Sequence, residues 1–378
     1  MHREFPPVAF IAAVLLLIPL PSHWRAGNVA TLSMIFWLFI TNVIYGVDAI
    51  VWGDNVKTVI QVWCDISTLR YFIITIAISN RVLETACKII IGSNFALPAA
   101  CLCICIHLEQ VSAVRQARTS ALDKRRRQMI EGLVCFGLPV LFMGLRASKV
   151  MLFRSVSEAY PNQLDYVVQG HRFDIIEEYG CRPTTYVSIP AIFIVWIPPL
   201  LMSIATLVFA GAYLVTIFLL VELTVIVGLA FRHFIHRRLS FATHLSVSNS
   251  ALTTSRYLRL MAMSAVEMIW SISATSYTIW FTIINVPLRP WINWDFVHSN
   301  FSRIDIYPAA FMPASVATTY YTLWWMLPAS TFVFVAFFAF GQDTVDEYKA
   351  WFTWFKRRVL RMPDDKSKGS FGSLPFLQ

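Results

Sequence analysis

Charge is scarce in this chain. Asp, Glu, Lys and Arg make up only 14% of 378 residues, against 57% apolar and 15% aromatic, and the mean hydropathy is +0.60. A water-facing globule carries about 25% charged residues, so that class is excluded and a polytopic membrane protein is indicated. Other absences narrow the class. No paired internal repeat with matching broken helices is present, as a secondary transporter would show. The eight histidines are scattered, so no His and carboxylate constellation marks a membrane-embedded enzyme. The first apolar run, VAFIAAVLLLIPLP, is followed by Pro19, Pro21, His23 and Trp24 rather than by a small-residue cleavage site. It therefore reads as a first span and not as a removed signal peptide.

What is present is a series of apolar runs. A span needs about 20 mostly apolar residues, and seven runs qualify, at 5–21, 28–52, 84–106, 129–148, 185–210, 257–284 and 315–340. The expected fold is an all-α membrane protein, a seven-transmembrane-helix bundle set in the lipid bilayer. Basic residues orient it. With the N-terminus outside, the inner segments hold 19 of the 31 Lys and Arg residues and the outer segments hold six. That bias places the C-terminus inside. It also accounts for the net charge of +9 without any nucleic-acid partner.

The stretch from Gly170 to Leu201 passes from charged to apolar within a few residues. Only a membrane surface permits that change, because unpaired peptide groups in lipid cost several kcal/mol each. Its loop carries His171, Arg172, Asp174, Glu177, Glu178, Cys181 and Arg182, facing outward. WCDIST puts Cys64 and Asp65 on the same side. Cys87, Cys101, Cys103, Cys105 and Cys135 fall in or near spans and read as small buried hydrophobes. A Cys64–Cys181 disulfide would close more than a hundred residues on the oxidising side; two free thiols is the alternative. Asp48 and Asn42 sit in the second run, and Asp48 either reaches water or faces the bundle interior. The last outer segment holds Trp291, Trp294, Asp295 and Phe296, then Asn300-Phe301-Ser302, a glycosylation acceptor pattern. His233, His236 and His244 lack the carboxylate or cysteine set of a zinc site, so no metal and no cofactor is expected.

Two inner loops are basic and amphipathic, carrying Arg115, Arg118 and Arg125 to Arg127, then Arg232, Arg237, Arg238, Arg256 and Arg259. They read as topology determinants and lipid-phosphate contacts, or as a docking surface for a cytosolic partner. Residues 1–342 form the membrane domain. Over 343–361 the apolar positions Val345, Tyr348, Phe352, Phe355 and Val359 recur at helical spacing opposite basic residues. This is an interfacial amphipathic helix, followed by a short disordered tail over 362–378.

Several blocks carry a family resemblance. LIPLPSHWRAGNVATLS, WCDIST, IIIGSNFALPAACLCICIHLEQ, GLPVLFMGL, VVQGHRFDIIEEYGCRPTTYVSIPAIFIVWIPPLL, AFRHFIHRRLSFATHL and SALTTSRYLRLMAMSAVEM resemble the fungal lipopeptide mating-pheromone receptors, the a-factor receptor family of basidiomycetes. The resemblance runs from Pro19 to about Tyr348. It implies a G-protein-coupled receptor of the fungal class in the plasma membrane. The implied ligand is a secreted peptide with a farnesylated, carboxymethylated C-terminal cysteine. The implied output is a heterotrimeric G protein feeding a mating MAP-kinase cascade. On that reading Asp65, His171, Arg172, Asp174, Glu177, Glu178 and Asp295 meet the peptide, Trp291, Trp294 and Phe296 meet the lipid, and the ten arginines above meet the G-protein α subunit. Rhodopsin-like motifs are missing: His107-Leu108-Glu109 stands in place of Asp-Arg-Tyr, and no Asn-Pro-x-x-Tyr ends the seventh run.

Three stretches of about twenty residues, 69–87, 146–165 and 211–228, interrupt blocks that would otherwise join. They read as unspliced introns translated in frame or as genuine insertions. The third makes about 45 nearly continuous apolar residues from Thr185, about 68 Å as one helix, twice a hydrocarbon core. Glu222 within it is not read as a transport carboxylate.

Overall fold

A computed structural model of the chain describes residues 2–57, 63–64, 86–112, 121–144, 168–209, 254–339, 345 and 348–349. Several sequence expectations lie outside these residues: Asp65, Arg115, Arg118, Arg232, Arg237, Arg238, Glu222 and the histidines at 233, 236 and 244. So do the three interruptions, except for positions 86 and 87, most of the 343–361 helix, and the tail.

The chain begins with α1 (Phe5–Leu16) and α2 (Leu20–Ala26). Pro6 and Pro7 occupy the first turn of α1, where their missing N–H groups bond nothing in any case. Approaching Pro19, Leu17 and Ile18 bond carbonyls only three residues back, Val14 at 3.1 Å and Leu15 at 3.2 Å. The helix tightens there and restarts as α2. Gly27, at φ +64°, ends α2, and the Asn28 side chain accepts from Thr31 N at 3.4 Å to start α3 (Val29–Val51). This reversal needs the left-handed conformation that glycine supplies at no steric cost.

α4 (Ala86–Ser112) is the central helix, packing on α3, on α6 (Leu138–Gly144), on α7 (Ile197–Phe209) and on α8 (Thr254–Asn285). α5 (Ala121–Gly132) runs into α6 through a wider π turn, Leu133–Gly137. Pro139 follows, and a proline ring displaces the carbonyl four residues before it. That carbonyl belongs to Cys135, and α3 satisfies it twice, from Ser33 Oγ at 3.3 Å and Trp37 Nε1 at 3.2 Å. The same device opens α7: a π turn at Ile192–Trp196 precedes Pro198 and Pro199. α9 (Ala314–Ala339) contains Pro328.

Five of these helical stretches are long and apolar enough to cross a membrane: Phe5–Ala26, Val29–Val51, Ile89–Leu108, Ile189–Phe209 and Ala314–Phe338. Two more long stretches, 121–144 and Thr254–Asn285, bring the helical segments to seven among the described residues. Charged side chains dilute both, Asp123 to Arg127 in one and Arg256, Arg259 and Glu267 in the other. Large apolar side chains such as Ile11, Phe36, Phe193, Leu201, Trp280 and Ile284 point outward. An outward apolar belt of this kind fits a bilayer as solvent.

The loops depart from the all-α expectation. β1 (Phe173–Ile176), β2 (Gly180–Arg182) and β3 (Ile304–Tyr307) form one sheet in the order β2-β1-β3, antiparallel between β1 and β2 and parallel between β1 and β3. It caps one end of the bundle. The core splits accordingly. Near the sheet it is built of Phe5, Tyr45, Trp52, Phe173, Tyr179 and Trp324; toward the other end it is Leu16, Met34, Leu38, Leu207, Leu260, Met263 and Phe334.

Candidate functional site

The β1–β2 hairpin is seated directly on the end of α3. Glu178, at φ +67°, turns the chain, and its N–H donates to Trp52 O at 2.7 Å. Gly180, at φ +91°, comes so close that a Cβ there would stand 2.3 Å from the Asp48 Cβ. Only glycine fits both the conformation and the space. Asp48 is thereby fully buried, its Oδ1 accepting from Trp63 Nε1 at 2.8 Å, while Oδ2 has no hydrogen-bond partner among the described residues. The question left open by the sequence is answered: Asp48 faces the interior.

Arg182 supplies the compensating charge. Its guanidinium lies 3.7 Å from the Tyr179 ring centroid and 4.2 Å from that of Tyr45, and Nη2 donates to Tyr179 O at 3.0 Å. Cation–π contacts at a desolvated site are worth about 2 kcal/mol. Nε and Nη1 are buried without an acceptor among the described residues, as is Nε1 of Trp324, whose ring lies 6.0 Å from that of Tyr45. Burial pushes the Tyr179 hydroxyl above its ordinary value, with Arg182 opposing the shift. Glu178 Oε2 accepts from Tyr321 at 2.8 Å and Glu177 Oε2 from the Ala309 N–H at 2.7 Å, tying the hairpin to α9 and its approach. Beside this seat lies a cavity of about 210 Å³ lined by His2, Arg3, Pro6, Ala49, Ile50, Gly53 and Glu178.

The sheet edge holds a second cluster. His171 Nε2 is 2.7 Å from Asp174 Oδ1 and 3.3 Å from Asp305 Oδ2, and Arg303 Nε is 2.9 Å from Asp305 Oδ1. Asp174 and Asp305 are register partners on β1 and β3. Like charges placed opposite each other destabilise a sheet, and His171 and Arg303 sit where they offset that repulsion. Burial pushes the Asp174 carboxyl up, and the His171 hydrogen bond opposes it. By residue type this trio could hold a metal ion. Each member already has a protein partner, however, and the cation is Arg303.

Cys64, Cys87 and Cys181 are three buried cysteines in one cluster. Cys181 interacts with both of the others, and burial pushes its thiol up. Cys64 and Cys181, paired in the sequence reading, are neighbours in this cluster. Cys181 has a second thiol neighbour, so adjacency alone does not select its partner. Cys87, read from the sequence as a plain hydrophobe, belongs to this group.

Of the remaining expected ligand residues, Arg172 stays at the sheet, its N–H donating to Arg303 O at 3.2 Å, and the others are dispersed. Arg172 lies over the Phe173 ring at 5.4 Å, and Trp291 is half-buried. Asp295 and Phe296 are exposed on the short helix Trp294–Val297, and Asn300 is exposed in the turn after it. Sequence reasoning missed Tyr45, Tyr179, Tyr320, Tyr321 and Trp324, which surround the hairpin seat. Aromatic residues at helical spacing near one end of an apolar run were the available signal.

At the opposite end, Arg125 and Arg126 are exposed, Arg259 is half-buried, and Arg256 falls in the first turn of α8. Arg127 does something else. It approaches Glu131 Oε1 at 3.3 Å and donates toward the His107 ring at 3.0 Å, joining α5 to α4.

The family model described as the pheromone A receptor, STE3, matches residues 4–148 and 162–356. The chain is 52% identical over 349 residues to the pheromone B beta 1 receptor of Schizophyllum commune, covering 92% of this chain and 54% of that protein. It is 30% identical over 374 residues to the pheromone B alpha 3 receptor of Schizophyllum commune (strain H4-8 / FGSC 9210), covering 97% and 51%. Against pheromone receptor 2 of Mycosarcoma maydis it is 27% identical over 328 residues, covering 87% and 79%. The chain thus spans about half the length of the first two relatives. No solved structure matches it. With a family match along nearly its whole length and apolar helices that suit a membrane, the chain belongs to the STE3 family of pheromone A receptors.

Proposed function

We propose that this chain is a plasma-membrane receptor that binds a secreted, farnesylated peptide pheromone at the sheet end. It crosses the bilayer seven times, N-terminus outside and C-terminus inside, and activates a heterotrimeric G protein and a mating MAP-kinase cascade from the basic end. The observation that carries the reading is the hairpin seat. Arg182 and Trp324 offer buried donors with no acceptor among the described residues, within a wall of tyrosines, and a cavity lies beside Glu178 of the same hairpin. A peptide supplies carbonyl acceptors, and a farnesyl group supplies apolar surface, worth about 0.8 kcal/mol per buried CH₂-sized group. A 210 Å³ cavity admits only part of such a ligand, so binding lifts the hairpin. The charged residues of the sheet edge, among them His171, Arg172 and Asp174, meet the polar part of the peptide. Cys64 and Cys181 form the bridge that holds the lifted hairpin in place; recovering both as free thiols from unreduced peptides by mass spectrometry would remove that claim. The three interruptions are unspliced introns.

The test expresses two copies, one lacking the interruptions and one retaining them, in a yeast mating-reporter strain. Synthetic peptides are presented with and without farnesyl. The expected result is a response from the shorter copy to farnesylated peptide alone. Equal responses from both copies would make the interruptions genuine insertions. Silence to every lipopeptide, from a receptor shown to be at the cell surface, would overturn the receptor reading.

A further inference from the structure

Midway along the bundle, away from the hairpin seat, one carboxylate stands among apolar neighbours. Glu267 of α8 is 4% exposed. Ser330 Oγ of α9 donates to its Oε2 at 2.8 Å, Oε1 has no hydrogen-bond partner, and no basic side chain pairs with it among the described residues. Next along α9, Thr331 Oγ1 accepts from Asn42 Nδ2 of α3 at 2.8 Å. Asn42 is fully buried, and its Oδ1 has no partner either. α9 packs against both α3 and α8. Consecutive residues of one helix thus adjoin two buried oxygen acceptors that no group among the described residues answers. They lie just after Pro328, where the helix loses a backbone donor.

An uncompensated carboxylate in a low-dielectric interior is costly, and an orphaned amide oxygen adds its own desolvation penalty of about 1–3 kcal/mol. Both vacant groups are acceptors, so what completes them carries positive charge or donates hydrogen. A hard cation takes oxygen ligands. With a single carboxylate present, one positive charge brings the site to neutrality, whereas a divalent ion would leave a net charge buried in the membrane. A proton would answer the charge on Glu267 alone. A cation held by several oxygens answers the charge and the second acceptor together.

We propose that Glu267, Asn42, Ser330 and Thr331 form a site for a small monovalent cation of the sodium class, tying α3, α8 and α9 together at mid-bundle. The full chain in nanodiscs tests this by its thermal unfolding midpoint, measured in sodium chloride against choline chloride at equal ionic strength and fixed pH. Sodium is expected to raise the midpoint saturably, choline is not, and Glu267→Gln is expected to abolish the difference. Should Glu267→Gln fail to fold, Asn42→Leu replaces it, and binding of radiolabelled sodium to the unaltered chain reads the site directly. A midpoint indifferent to sodium but moved by pH would assign the position to a proton and overturn the proposal, as would the absence of saturable sodium binding. None of these readouts involves a pheromone, so their failure leaves the receptor reading standing.

Discussion

The two ends of the bundle are packed with different materials. Near the sheet the buried residues are rich in aromatics tied by directional contacts. Phe5 stacks on Trp324 at 3.9 Å, Tyr45 and Tyr179 hold Arg182, and Trp63 bonds Asp48. Toward the basic end they are mostly Leu, Met, Ile, Ala and Cys, with Met34, Met261, Met263 and Met268 prominent and Phe334 and Phe338 the aromatic members. Aromatic and hydrogen-bonded packing fixes orientation, whereas aliphatic packing is non-directional and methionine re-packs readily. On the proposed receptor reading, the aromatic end would recognise a shape and the aliphatic end would rearrange against a partner.

The largest expected effect separates the ends by function. Neutralising Arg125 and Arg126 to Gln is expected to abolish reporter signalling, while binding of labelled pheromone and surface level stay near those of the unaltered chain. Arg127 is left in place because it bonds within the protein. Lost surface expression would assign these charges to topology alone. Lost binding with intact expression would erase the division between the ends.

Next comes a pair of matched glycine substitutions. Gly180→Ala is strained in its backbone, by about 1–2 kcal/mol, and drives a methyl into Asp48, adding about 1–3 kcal/mol for overpacking. Gly137→Ala, in the π turn of the other half, meets at 3.1 Å only the end of the Leu133 side chain. Thermal unfolding in detergent should fall by many degrees for the first and hardly move for the second. Equal shifts would mean that the hairpin is not tightly seated.

A smaller effect concerns the carbonyl released by Pro139. Ser33→Ala or Trp37→Phe removes one of two donors to Cys135 O, an expected loss of about 0.5–1.5 kcal/mol each. The double variant leaves a buried acceptor bare and should lose more than the sum of the two. Strict additivity in the same unfolding assay would show that water reaches this carbonyl, and that the aliphatic half is less dry than its packing indicates.

Much of the helical layout was legible because lipid allows few alternatives: long apolar runs must be helices. The seat was not. Asp48 could be placed only through Gly180, 132 positions later, and nothing local in the WCDIST block reveals that Trp63 turns back to bond Asp48. The sheet was partly legible. Ile304, Asp305, Ile306 and Tyr307 alternate as a strand does, but their partner at Phe173–Ile176 lies about 130 positions away, where local pattern carries no information. The charged loop residues were marked as a group, and in the structure His171 and Asp174 are engaged first with each other and with Asp305. Glu267 sat in plain view, a lone acid inside SAVEM, and the rule that intramembrane charge marks function was the signal that could have found it.

The smallest expected effect lies on the sheet edge and bounds the comparison from the wet side. Arg303 is about half exposed and Asp305 29% exposed, so their attraction is weakened by solvent and worth about 0.2–1 kcal/mol. Arg303→Gln removes the cation that offsets two facing carboxylates, Asp174 and Asp305, and leaves His171 to do so alone. Thermal stability should drop by no more than a few degrees at low salt, and the drop should shrink as salt rises toward 1 M, where the screening length falls to about 3 Å. A large, salt-insensitive loss would mean that this cluster is as dry as the Arg182 seat. The boundary between recognition and solvent would then have to be drawn further out, beyond β3 rather than beneath it.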